Sequence, residues 1–180
     1  MNIYIACGLT HVPRETFQSH VSFIHALAHA LESQGFHVKY ALKDSDPQLA
    51  EKPFEDRARL CYLWDREMVE YADVVVAEAS YPSTGQGIEL QIAENRGIPI
   101  IICFNRGHEY QAAPVEYENP NKSNHLLQIG EGYVSLMALG IPTIFKLIGY
   151  NTAEEGIDSV VSVVTLLDKS YHTLSSPTLA

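Results

Sequence analysis

The stretch Ala72-Asp73-Val74-Val75-Val76-Ala77-Glu78-Ala79-Ser80-Tyr81-Pro82-Ser83-Thr84-Gly85-Gln86-Gly87-Ile88-Glu89-Leu90 decides the fold. Asp73–Ala77 is a continuous apolar run rich in β-branched residues. Such a run predicts a strand buried on both faces of a parallel sheet. Tyr81–Gly87 is a glycine-rich turn, and a helix is expected over about Gln86–Arg96.

Outward from this centre the pattern repeats. Asn2–Cys7, His37–Leu42, Ile98–Phe104 and Thr143–Ile148 read as further strands. Phe17, Val21, Ile24, Ala28 and Leu31 recur at helical spacing after the loop Gly8–Pro13, and Gly35 ends that run. Leu60, Leu63, Trp64 and Met68 place a helix at about Phe54–Ala72. Ile157, Val160, Val161, Val164 and Leu167 share one face of a helix over Thr152–Leu167, and a short helix is expected over Gly132–Leu139. Lys43–Pro53 reads as a long polar loop. Residues 105–127 are long for a loop in a compact domain, which points to a lid, a flap or an oligomer contact. Residues 171–180 are expected to form a flexible tail. Alternating strands and helices imply an α/β fold, a three-layer sandwich with a five-stranded parallel sheet of flavodoxin-like or Rossmann-like type, as one domain over 1–170. Ligands bind beyond the carboxyl ends of the strands in such sheets. Functional residues are therefore expected after Cys7, around Tyr81–Glu89 and after Phe104.

Length and charge bound the function. The chain has 180 residues, enough for one well-buried domain, with 46 % hydrophobic and 19 % charged residues. Twelve Lys+Arg against 22 Asp+Glu give a net charge of −10. So acidic a chain argues against polymeric nucleic acid and anionic membrane as partners. A small anion held by backbone N–H groups stays open. No apolar run is long enough to span a membrane, and Met1–Gly8 lacks the basic start of a signal peptide. Cys7, Cys61 and Cys103 read as reduced thiols in a cytoplasmic protein.

The turn before Glu89 is the most informative chemistry in the chain. A strand that runs into a two-glycine turn and then a helix exposes N–H groups suited to an anion. Glu89 is expected in the first helical turn, where the dipole favours its ionised form, and a charged carboxylate there suits attack on an electrophilic carbon. The same residues also read as Ser83-x-x-Gln86, a capping box, with Glu89 a first-turn acid. Tyr4 reads equally as a core aromatic and Asp65 as a solvated acid. His25 and His29 have the spacing of a metal pair, but no third ligand is evident, so no metal is expected. The sequence shows no Walker loop, no dinucleotide fingerprint, no Gly-x-Ser-x-Gly elbow and no Cys-x-x-Cys pair.

Ile3-Tyr4-Ile5-Ala6-Cys7-Gly8, Asp65, Ala72–Ser80 and Pro82-Ser83-Thr84-Gly85-Gln86-Gly87-Ile88-Glu89-Leu90 together resemble the nucleoside 2-deoxyribosyltransferase family. The form is closest to its hydrolytic branch, the 2′-deoxynucleoside 5′-phosphate N-hydrolases, over about residues 1–104. The resemblance implies an N-glycosidase acting on a nucleoside or nucleoside 5′-monophosphate, with no cofactor. Its rivals are deoxyribosyl transfer between bases and a silent nucleotide-binding module. It implies Glu89 as nucleophile at C1′, Tyr4 as the group that orients it and Asp65 as proton donor to the leaving base. Ser83 would contact the 5′-phosphate, while Gly8, Gly85 and Gly87 would admit the sugar phosphate. Ser135 would reach a neighbouring subunit's site, which implies a homodimer or higher oligomer. Where the hydrolytic branch has a Gly/Arg-rich phosphate loop, this chain reads Gly8-Leu9-Thr10-His11-Val12-Pro13-Arg14.

Overall fold

The computed structural model describes residues 1–175. In chain order the elements are β1 (Asn2–Cys7), α1 (Arg14–Ser33), β2 (His37–Tyr40), α2 (Ala41–Asp44), α3 (Asp46–Leu49), α4 (Phe54–Tyr71), β3 (Val74–Glu78), α5 (Thr84–Asn95) and β4 (Ile100–Asn105). They continue with β5 (Glu116–Glu118), β6 (Asn124–Leu126), α6 (Leu136–Leu139), β7 (Ile144–Tyr150) and α7 (Ala153–Ser175). Five strands form a parallel sheet in the order β2-β1-β3-β4-β7. The α/β expectation holds. The order reverses between β1 and β3, which makes the edge above Cys7 and Glu78 the natural ligand crevice.

Alternation along the strands divides the core. Ile3, Ile5, Val74, Val76, Ile101 and Cys103 pack with Phe23, Ile24, Leu27 and Leu31 of α1 and Val160, Val164 and Leu167 of α7. Tyr4, Ala6, Val75, Ala77, Ile100 and Ile102 pack on the other face with Met68 and Val69 of α4 and Leu90 and Ala93 of α5. Both faces are covered, so β3 and β4 carry unbroken apolar runs instead of alternating ones. Each fully buried aliphatic side chain contributes about 1.5–3 kcal/mol.

Several boundaries differ from the sequence expectation. The third strand starts one residue later and includes Glu78, which is wholly buried. In α1 the inward stripe takes up His20, while Phe17 and Val21 stay half-buried, because the His20 ring has polar partners inside. The strand expected over His37–Leu42 ends at Tyr40, where the single turn α2 begins, and the loop expected over Lys43–Pro53 holds the end of α2 and the single turn α3. Residues 105–127 hold one 3₁₀ turn, His108–Tyr110, and the exposed antiparallel hairpin β5–β6. The helix expected over Gly132–Leu139 shortens to α6, because Gly130 and Gly132 adopt left-handed φ of 59° and 83°. Helix α7 continues through Ser175, so the tail expected from 171 begins helically; the rest of it lies outside the described residues. Among the described residues no helix is long and apolar enough to cross a membrane.

Candidate active site

Three of the expected residues meet on the α4/α5 face of the sheet. Tyr4 sits mid-β1 with its ring buried, and its hydroxyl donates to Glu89 Oε1 at 2.8 Å. Glu89 Oε2 is buried and has no hydrogen-bond partner. Asp65 projects from α4 close enough for its charge to act on both groups. The core-aromatic reading of Tyr4 is therefore incomplete: the ring is core and the hydroxyl is committed to Glu89.

The charge state of Glu89 departs from expectation. Helix α5 begins at Thr84, so Glu89 falls in the second turn, past the reach of the helix dipole. Burial pushes its carboxyl up to about 8; the Tyr4 hydrogen bond opposes the rise and the negative charge of Asp65 adds to it. Tyr4 is raised in turn by burial and by the Glu89 charge. Burial, not the helix terminus, sets this site's protonation.

Asp65 is not a solvated acid. Ser45 Oγ donates to Oδ1 at 2.6 Å and Cys61 Sγ donates to Oδ2 at 3.3 Å. Ser45 is buried at the junction of α2 and α3, where the sequence promised only a loop. Burial and Asp65 push the Cys61 thiol up to about 12, so it remains a donor.

The turn residues form a second group. Ser83 caps α5, its Oγ accepting from Gln86 N–H at 3.2 Å. Only this half of a capping box forms. The Gln86 amide instead donates to the carbonyls of Glu78 at 2.7 Å and Ala6 at 3.1 Å, tying α5 to two strand ends. A Cβ added at Gly8 would stand 3.0 Å from Ser83 Cβ and 3.3 Å from the Tyr81 carbonyl, so Gly8 lets the β1 loop and the Ser83 turn touch. At Gly87 an added Cβ would meet nothing within 4 Å, and at Gly85 only Ser83 Oγ at 3.7 Å. Packing within the chain does not require glycine at either position. Ser83 and Gly87 line a cavity of about 930 Å³, together with Tyr81, Tyr110, Tyr133 and Ser135. Glu89, Tyr4 and Asp65 do not line it. Ser135 caps α6, accepting from Ala138 N–H at 3.3 Å, and faces the same cavity as Ser83 of its own chain.

A third cluster, unassigned from sequence, lies under the same edge on the α1/α7 face. Glu78 Oε1 accepts from the Ser80 hydroxyl, from Ser80 N–H at 3.3 Å and from the Tyr150 hydroxyl at 2.9 Å. Its Oε2 makes no hydrogen bond but faces His20 Nδ1 at 3.5 Å. His20 Nε2 lies 2.9 Å from the Gly8 carbonyl. Ser80 Oγ also accepts from Asn105 N–H at 2.8 Å, which joins β4 to the cluster.

No protein-family model matches the sequence. Two curated relatives do, both named "Putative 2'-deoxynucleoside 5'-phosphate N-hydrolase 1". That of Syntrophotalea carbinolica is 39 % identical over 59 residues, 33 % of this chain and 42 % of its own length. That of Thermofilum pendens is 34 % identical over 101 residues, 56 % of this chain and 66 % of its own length. In sequence the chain is similar to both over part of its length. It spans less than two thirds of the length of both relatives. A Clostridium botulinum CMP N-glycosidase shares the fold with a TM-score of 0.55 at 17 % identity, covering 91 % of this chain and 99 % of that one. A conserved protein from Enterococcus faecalis does so at 0.51 and 16 %, covering 88 % and 98 %. Among the residues of these clusters, the sequence did not point to Ser45, Cys61, His20 or Glu78. Only Glu78 carried a signal, as an acid closing a buried apolar strand.

Proposed function

We propose that this chain is an N-glycosidase that cleaves the base–sugar bond of a nucleoside or nucleoside 5′-monophosphate, with Glu89 as nucleophile. One observation carries the reading: Tyr4 holds Oε1 of Glu89 and leaves Oε2 buried without a partner at the ligand edge of the sheet. A positioned carboxylate oxygen with no other bond is what attack on C1′ requires. In the first step the bond from Glu89 Oε2 to C1′ forms as the C1′–N bond breaks. The base leaves with the electron pair. Water then adds at C1′, its proton passing through the Asp65 carboxylate to the departing base, and the Glu89 carboxylate is released. Ser83, Gly85 and Gly87 bound the sugar side, and Gly8 sets the gap between the β1 loop and that turn. The names of the curated relatives support the same reaction class.

The test is chromatographic detection of free base after incubation with a panel of nucleosides and their monophosphates, with Glu89→Gln as control. Release by the wild type and not by the variant is expected. Release that persists undiminished in Glu89→Gln overturns the nucleophile. A new nucleoside formed only when a second free base is added would mark transfer instead of hydrolysis.

A further inference from the structure

The charges around this site address what the substrate carries at its 5′ position. The charged groups acting on Tyr4, Cys7, Cys61 and Glu89 are Asp65, Glu78, Glu89 and Asp46, all acids. On the other side of the Ser83 turn, none of the chain's lysines or arginines lines the large cavity, among the described residues. Glu109 is its charged wall residue, and His11 its one titratable nitrogen base. With Asp65 on one side, Glu109 on the other and no lysine or arginine lining the cavity, neither side of the turn offers a cation of that kind.

Seven of the twelve lysines and arginines have contacts away from the cavity. Lys43, Arg59, Arg66 and Lys122 pair with Glu32, Asp56, Glu70 and Glu118. Arg57 donates to the carbonyls of Lys52 and Ala50. Arg106 lies across Gly149, where a Cβ would come within 3 Å of its guanidinium. Arg14, beside the β1 loop, stands over the Phe17 ring at 5.6 Å. The turn itself is partly closed to anions, since Ser83 Oγ accepts from Gln86 N–H and the Ser83 carbonyl from Gly87 N–H. A phosphate would bring a charge of about −1.5 to −2 at pH 7 to a site flanked by Asp65 and Glu109 and lined by no lysine or arginine. A 5′-hydroxyl brings none, and the Ser83 and Thr84 hydroxyls line the cavity to meet it.

We infer that the substrate of this site is a nucleoside with an uncharged 5′ end, and that the 5′-monophosphate is disfavoured by the surrounding carboxylates. This rests on the N-glycosidase reading above. The experiment compares kcat/KM for a deoxynucleoside and its 5′-monophosphate, using the full chain in its native assembly. At about 0.01 M ionic strength, where charges act over about 30 Å, the nucleoside should be favoured at least tenfold. At about 1 M, where they act over about 3 Å, the ratio should fall severalfold. His11→Arg should raise the monophosphate relative to the nucleoside, and Arg14→Ala should leave the ratio where it was. Equal or greater activity on the monophosphate at low salt overturns the inference, as does a selective loss of monophosphate activity in Arg14→Ala. If neither compound releases base, the N-glycosidase reading fails for them and calorimetric binding decides this inference: tighter nucleoside binding upholds it. Tighter monophosphate binding, or no binding of either, overturns it.

Discussion

Glu78 and Glu89 are two carboxyls withdrawn from water at the same edge of one sheet, on opposite faces. Burial raises the pKa of each. Their surroundings then diverge. Glu78 ends a central strand, with three donors on one oxygen and an imidazole opposite the other. Glu89 sits on a helix with one phenol on Oε1, a bare Oε2 and another carboxylate nearby. A buried acid alone does not mark a reaction centre. The acid with a spare oxygen differs from the one whose polar capacity holds loops in place: Glu78 joins β1, β3, β4 and β7 through His20, Ser80 and Tyr150.

The sharpest way to break this contrast is Glu89→Gln. It keeps the shape and the acceptor for Tyr4 but removes the nucleophile, so base release should fall by at least ~10³-fold. The fold should not suffer. A carboxyl whose folded pKa is about 8, against an ordinary value near 4.5, favours folding below pH 4.5, and that contribution is lost as pH rises to 8. Glutamine does not ionise. Its Tm advantage over wild type should grow across that window, reaching about 4 °C or more at pH 9 by thermal denaturation. A variant that loses both activity and Tm would place Glu89 with Glu78 as a structural acid.

Glu78→Ala should do the opposite. Removing it strands the Ser80 and Tyr150 hydroxyls and the His20 ring in the interior, at a cost of about 3 kcal/mol in denaturant unfolding. Glu78→Gln keeps an acceptor for both hydroxyls and should recover most of that loss. Full stability in Glu78→Ala would remove the structural half of the contrast.

Next in size is Tyr4→Phe, with a loss of about 10- to 100-fold in kcat. Its pH profile is the stricter readout. Wild-type kcat/KM should rise with an acid limb near pH 8 as Glu89 ionises. The Tyr4 hydrogen bond lowers the Glu89 pKa, so Tyr4→Phe moves the limb to higher pH. Asp65 raises it, so Asp65→Asn moves the limb to lower pH. Limbs that shift in the same direction would refute this account of the site.

The sheet was legible because parallel strands covered on both faces leave unbroken apolar runs such as Val74–Ala77 and Ile98–Phe104. The meeting of Tyr4, Asp65 and Glu89 was legible only through their resemblance to a known family, since each alone reads as an ordinary core or surface residue. The ionisation of Glu89 was misread because the sequence shows a helix start but not the depth of burial. The half-used capping box escaped because Gln86 found stronger partners in the strand carbonyls. Ser45 was illegible altogether: a serine in a polar loop gives no sign that the chain folds it against Asp65.

Ser45 supplies the smallest effect and the finest distinction. Its hydroxyl, buried and 2.6 Å from Asp65 Oδ1, holds that carboxyl. It acts through Asp65, as a positioning residue. Ser45→Ala removes one hydrogen bond to a charged group, about 1 kcal/mol or a little more, so kcat should fall about three- to tenfold with KM little changed. Ser45→Thr keeps a hydroxyl on the same backbone and should restore most of the rate. In Asp65→Asn the same Ser45→Ala change should have almost no further effect on kcat, because the group it positions is already gone. A merely packing role predicts the reverse: an equal loss in both backgrounds and no rescue by threonine.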